Sequence, residues 1–176
     1  RDLLDDTPGE AIRYALLAAQ YRQPLDWTPE SPRAARAALD RLYGALRNQP
    51  PAEARAEDMA PVLVALDNDL NTPGALAALH GIAAQVHSTA DPGRRAELAA
   101  ALREAGAFMG LLQQDAQVWA QTGADNAGRI DALVGERQQA REAKDWALAD
   151  ALRDDLAALG VEVEDSGGTS HWRVRA

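Results

Sequence analysis

The sequence predicts a mainly α protein: an antiparallel helical bundle followed by a small α/β unit that ends in a short hairpin. Three observations carry this. Apolar residues return at three- and four-residue spacing along the chain as far as Trp119. All nine prolines lie at or before Pro92, where they punctuate helices whose short connections favour antiparallel neighbours. Val161 to Glu164 then alternates apolar and acidic residues ahead of Ser166-Gly167-Gly168, as a strand entering a turn does.

Thr7, Pro8 and Glu10 fit an N-cap, a first helical residue and a reciprocal capping-box glutamate, so a helix is expected there. Ile12, Leu16 and Ala19 would form its apolar face, widened by Tyr14, Leu17 and Tyr21, until Gln23-Pro24 ends it. Ser31-Pro32 starts a second helix with Ala35, Ala38, Leu39, Leu42 and Leu46 inward. Asn48 to Pro51 stops it. Met59, Val62, Leu63 and Leu66 predict a third helix between Glu53 and Asp67. Asn68 to Pro73 closes it and caps a fourth, whose stripe is Leu76, Leu79, His80, Ile82, Ala83 and Val86. Asp91-Pro92 repeats the device ahead of Leu98, Leu102, Ala105, Phe108, Met109 and Leu112, and a short segment follows around Val118 and Trp119.

Gln121 to Gly128 is poor in apolar side chains and reads as a linker. Beyond it Ile130, Leu133, Val134 and Arg137 begin a compact helix. Asp145 caps another with Ala149, Leu152, Arg153, Leu156 and Leu159 inward, Gly160 stops it, and His171 to Val174 forms the returning strand. So small a unit has little core of its own, so packing on the bundle or ordering by a partner is expected.

The chain has 176 residues, no cysteine and a formal charge of −9, with Lys144 its only lysine. Without cysteine, disulfides, thiolate nucleophiles and cysteine-ligated metals are excluded within these residues. No apolar run is long enough to span a membrane, and no basic leader followed by an apolar stretch and a cleavage site is read in these residues, so neither a membrane nor a secretory role is expected. The acidic balance argues against nonspecific attraction to nucleic acid, yet arginine forks and aspartate acceptors can still read bases from a few fixed positions. The chain opens on Arg1, and Arg1 to Asp6 reads as the middle of a polypeptide, so an upstream portion is expected.

No phosphate loop, dinucleotide fingerprint or HExxH pair occurs. His80, His87 and His171 lack a compact partner set, and packing or surface roles are the commoner use of such histidines. On its own residues the chain is a poor enzyme candidate and a better helical binding module. Arg141 alone would be an ordinary helix-surface residue. Asp150 would pair with Arg153, Asp165 would shape a turn, and Trp146 and Trp172 would anchor a core.

The segment Arg137 to Asp150, followed by Leu156 to Gly160 and Glu164-Asp165, resembles the C-terminal region of bacterial cysteinyl-tRNA synthetase, a class I aminoacyl-tRNA synthetase. Asp6 to Tyr14, Gln20 to Asp26 and Leu66 to Pro73 resemble the same family in the same order. The departures are local. Gln20 stands where a histidine is frequent, Asn68 replaces an aspartate, and the glycine-threonine pattern before Trp172 is displaced, although the spacing from Asp165 to Trp172 is kept.

The resemblance implies the end of a stem-contact region and the first bundle helix over 1–24, and a helical bundle of the DALR type over 25–120. A linker over 121–128 and an anticodon-binding domain over 129–176 would follow. It implies cysteine tRNA as partner, with Arg141, Asp150 and Asp165 reading anticodon bases and Trp146 and Trp172 stacking on them or supporting them from behind. Catalysis, ATP and zinc would belong to an upstream domain of the same cytoplasmic polypeptide, leaving these residues inactive alone. Two alternatives stand beside this: a stand-alone helical protein-interaction module, and part of a synthetase-related cysteine ligase acting on a small thiol precursor.

Overall fold

The structure, a computed structural model, describes Leu4 and residues 7–122, 127–166 and 169–174. It forms two compact units, Arg1–Ala116 and Gln117–Ala176. The expected linker runs into residues 123–126, which lie outside the described set.

The first unit is helical: α1 (Gly9–Leu17), α2 (Glu30–Leu46), α3 (Ala56–Asp67), α4 (Thr72–Ser88) and α5 (Pro92–Ala107). Packing joins α1 to α2, α3 to both α4 and α5, and α4 to α5. Leu39, Leu42, Leu79, Leu102 and Val62 are fully buried at the centre. Two of the expected caps are built as read. Asn71 Oδ1 accepts from the Gly74 N–H at 3.0 Å and Asp91 Oδ2 from the Arg94 N–H at 2.6 Å, which supplies acceptors for donors a helix start leaves open.

The start of α1 differs from the capping-box expectation. Pro8 is the N-cap and no side chain caps it. Glu10 turns inward instead, where Oε2 accepts from the Tyr43 hydroxyl at 2.8 Å and Oε1 from the Leu112 N–H at 2.7 Å. The helix consequently buries Glu10, Ala11, Tyr14 and Ala15, while Leu16 and Tyr21 stay exposed. A hydrophobicity pattern scores glutamate as outward and so rotates the predicted face. His80, on α4, shares a 2.8 Å hydrogen bond with the Tyr14 hydroxyl, and burial pushes its pKa down, favouring the neutral ring. Two smaller expectations also change. Pro61 sits inside α3 rather than at its boundary, and Phe108 is exposed where α5 ends.

The second unit begins within α6 (Ala116–Gln121). That helix is followed by α7 (Ala127–Glu142), α8 (Trp146–Ala158), β1 (Val161–Ser166) and β2 (Thr169–Val174). The strands pair antiparallel in a register that sets Val161 opposite Val174, Val163 opposite Trp172 and Asp165 opposite Ser170. Since side chains alternate between faces, these three pairs share one face. Val161 and Trp172 pack there with Ile130, Val134 and Leu156 as the unit's core. The inward face of α8 is Ala149, Leu152 and Leu156, whereas Arg153 and Leu159 lie outside it.

Gly160 ends α8 at φ 73°, the left-handed conformation expected of a helix-stopping glycine. The end of α7 closes in the same way, with Asp145 N–H bonded to the Ala140 carbonyl and Lys144 N–H to that of Arg141. Here the left-handed residue is Lys144, at φ 61°, whose Cβ makes that conformation costly. Lys144→Gly is therefore expected to stabilise the unit by about 1 kcal/mol, seen as a higher urea midpoint at unchanged slope.

Candidate nucleic-acid interface

Ile130, Val134, Arg137 and Arg141 recur on one stripe of α7. Its first two residues are buried against Trp172 and Val161, so the last two continue along the same hairpin face to Asp165. The Arg137 guanidinium grips Asp165 with both ends of its fork, Nη1 to Oδ1 at 3.0 Å and Nη2 to Oδ2 at 3.1 Å. Arg141 Nη1 lies 2.5 Å from Oδ2. Ser170, opposite Asp165 in the register, donates to Oδ1 at 2.6 Å. Its hydroxyl also lies 2.8 Å from Gln138 Oε1, but it has one hydrogen and the carboxylate is the stronger acceptor.

Hydrogen bonds and charge from Arg137, with the Ser170 hydroxyl and the Arg141 charge, pull the Asp165 carboxyl down to about 2. The folded value lies below the unfolded one. The stability it confers is thus present above the ordinary carboxylate range and lost as pH falls through about 2. Because the side chain is 35% exposed, screening limits this contribution to about 1 kcal/mol.

The other expected site residues are placed differently. Asp150 stands on the outward face of α8 in a 3.1 Å ion pair with Arg153, both well exposed. Trp146 begins α8 with 60% of its surface exposed, and Leu148 beside it is also open. Asp145 holds that start by accepting from the Leu148 N–H at 3.1 Å. Trp172 is 3% exposed, with its indole N–H donating to Asp131 Oδ1 at 2.6 Å. Its ring is spent on the core, so of the two roles expected for it direct base stacking is geometrically closed. The structure therefore joins Arg141 to Asp165, sets Trp146 and Asp150 outward on α8, and buries Trp172.

Sequence reasoning missed Arg137 and Ser170 as site residues. The signal was present: the α7 stripe continues from Ile130 through Arg137 to Arg141, and strand alternation carries Val161 and Val163 on to Asp165. A groove of about 360 Å³ between α8 and β1 is bordered by Arg153, Asp154, Glu162, Glu164 and Arg173. Its charges are paired across the hairpin, with Arg173 2.6 Å from Glu162 and 3.2 Å from Glu164. No group of three metal-ligating side chains occurs among the described residues, and none of their helices is long and apolar enough to cross a membrane.

A helical bundle followed in the chain by a helix–helix–hairpin unit, with Arg137, Arg141 and Asp165 gathered at the hairpin tip, is consistent with the architecture of a DALR-type anticodon-binding region. Residues 62–113 match the family described as the DALR domain, and residues 124–173 the cysteinyl-tRNA ligase anticodon binding domain. A cysteine–tRNA ligase of Xanthomonas campestris is 48% identical over 174 residues, covering 98% of this chain and 38% of the relative. One from Parvibaculum lavamentivorans is 46% identical over 181 residues, again covering 98% and 38%. A third, from Caulobacter vibrioides, is 43% identical over 188 residues, covering 99% and 39%. The chain thus spans under two fifths of the length of the curated relatives it matches. It belongs to the bacterial cysteinyl-tRNA synthetase family, as the C-terminal DALR and anticodon-binding region.

Proposed function

We propose that this chain is the tRNA-binding part of a cytoplasmic cysteine–tRNA ligase, its bundle bracing the tRNA and its final unit reading the anticodon of cysteine tRNA. The observation that carries this is the meeting of Arg141 and Asp165 at the hairpin tip, inside the segment that matches the anticodon-binding family. Guanidinium donors suit base acceptors, and carboxylates suit base amino groups. Arg141, Asp150 and Asp165 take base edges in this reading. Trp146 offers a stacking face, and Trp172 supports the platform from beneath. Because the chain carries net charge −9, affinity depends on these placed contacts more than on bulk attraction.

ATP-dependent attachment of cysteine, and the zinc implied with it, are assigned to a catalytic domain joined to this region in the whole ligase. The residues here do not fit such a metal: the chain has no cysteine thiolate, and its histidines stand apart. Arg141→Ala, at a half-buried position, and Asp150→Ala, at an exposed one, are expected to lower the preference for cysteine tRNA over an anticodon-swapped tRNA about tenfold each. Circular dichroism should be unchanged. Equal preference in both variants and the parent chain would remove the assignment.

A further inference from the structure

We propose that Arg137 is the positioning residue for base reading by Asp165, and that Arg141 is a displaceable latch which occupies Asp165 in the free protein and leaves when a base amino group arrives. This deepens the anticodon reading above and rests on it.

The argument is one of acceptor capacity. An ionised carboxylate offers about four acceptor sites on its two oxygens. In Asp165 three are taken by hydrogen bonds, Oδ1 from Arg137 and Ser170 and Oδ2 from Arg137, and the Arg141 guanidinium, ion-paired 2.5 Å from Oδ2, covers the remaining one. A carboxylate so filled cannot accept from a base until one donor withdraws.

The three donor residues are unequal in what they would lose. The Arg137 side chain is 11% exposed. Its Nε is buried without a hydrogen-bond partner among the described residues, so both of its working nitrogens are spent on Asp165. Withdrawing it would strand a buried cation, a costly outcome. Ser170 is fixed opposite Asp165 by the strand register. Arg141 makes one contact, is 39% exposed, and sits in the last turn of α7. It can therefore swing into solvent at small cost. Its departure opens Oδ2 to a base amino group and simultaneously releases an arginine fork able to read a neighbouring base acceptor. The pair thus moves from mutual masking to two readouts, while Arg137 keeps the carboxylate aimed. A lysine at 137 would keep the charge but lose the fork that sets the carboxylate plane.

The test uses the 176-residue chain and a cysteine-tRNA anticodon stem–loop, with stem–loops altered at each anticodon base as competitors. The parent chain is expected to prefer the cysteine triplet. Arg137→Lys is expected to lower that preference about tenfold at one base, with Ser170→Ala lowering it less at the same base. Arg141→Gln is expected to abolish preference at a different base. Carbon-13 titration of Asp165 provides the second readout: its midpoint rises from about 2 further in Arg137→Lys than in Arg141→Gln. If the parent discriminates and Arg137→Lys and Ser170→Ala discriminate equally well, Arg137 is not a positioning residue. If Arg141→Gln and Arg137→Lys lose preference at one and the same base, the latch is wrong. A parent chain that does not discriminate overturns the anticodon reading together with this proposal.

Discussion

Trp172→Ala is expected to destabilise the second unit by about 3–5 kcal/mol, enough to remove most protection from exchange at the β1 and β2 amides. The ring is the largest member of a core otherwise made of Ile130, Val134, Leu156 and Val161. So small a core has few contacts to spare when its largest member leaves a cavity. Loss of the indole bond to Asp131 adds little, because Asp131 is itself exposed and water can replace the donor. Trp172→Phe should accordingly cost about 1–2 kcal/mol and keep the hairpin protected. Hydrogen exchange at Val163, opposite Trp172 in the register, checks both variants. Protection in Trp172→Ala equal to that of the parent would show that the ring is not the core of this unit.

Glu10→Ala is expected to cost the first unit about 3 kcal/mol or more. Its carboxylate joins α1, α2 and the segment after α5 by accepting from the Tyr43 hydroxyl and the Leu112 N–H. Alanine leaves two donors without their acceptor, and each unsatisfied buried donor costs about 1–3 kcal/mol. Leu112 also holds φ 59°, a conformation that leucine adopts only where its surroundings enforce it. Glu10→Gln retains an acceptor for one donor only and should cost about half as much. Burial, opposed by the Gln114 N–H and reinforced by Glu10, pushes the Tyr43 hydroxyl well above the ordinary tyrosine value. Its contribution is consequently complete below about pH 10 and lost as pH rises above it, since only the unfolded chain then releases the proton. Urea midpoints of parent, Glu10→Gln and Tyr43→Phe across that range check the sign: the alkaline fall should shrink in Tyr43→Phe.

Caps and apolar stripes were legible because they depend on neighbours a few residues away. Asn71, Asp91, Asp145 and Gly160 sit where local rules place them. The faces of α2 and α4 follow from spacing alone. Glu10 was misread because its partners lie far along the chain, at Tyr43 and Leu112, and no local rule marks a glutamate as inward. Trp172 has the same explanation in reverse. A tryptophan before the end of a chain suits a stacking surface or a core equally, and only the strand register against α7 decides. Within the candidate interface Arg141 and Asp165 were legible as residue types. The clamp that joins them required the coincidence of a helical stripe with an alternating strand.

Anticodon reading by the second unit is tested most directly by adding a cysteine-tRNA anticodon stem–loop to the nitrogen-15-labelled chain and following its amide and indole resonances. The expected result is a set of shifts at Arg141, Trp146, Asp150, Asp165 and Ser170. Tyr43 and Leu112 should be unmoved, and an anticodon-swapped stem–loop should leave the set much weaker. Shifts of equal size with both stem–loops, or none at these residues, would contradict the account.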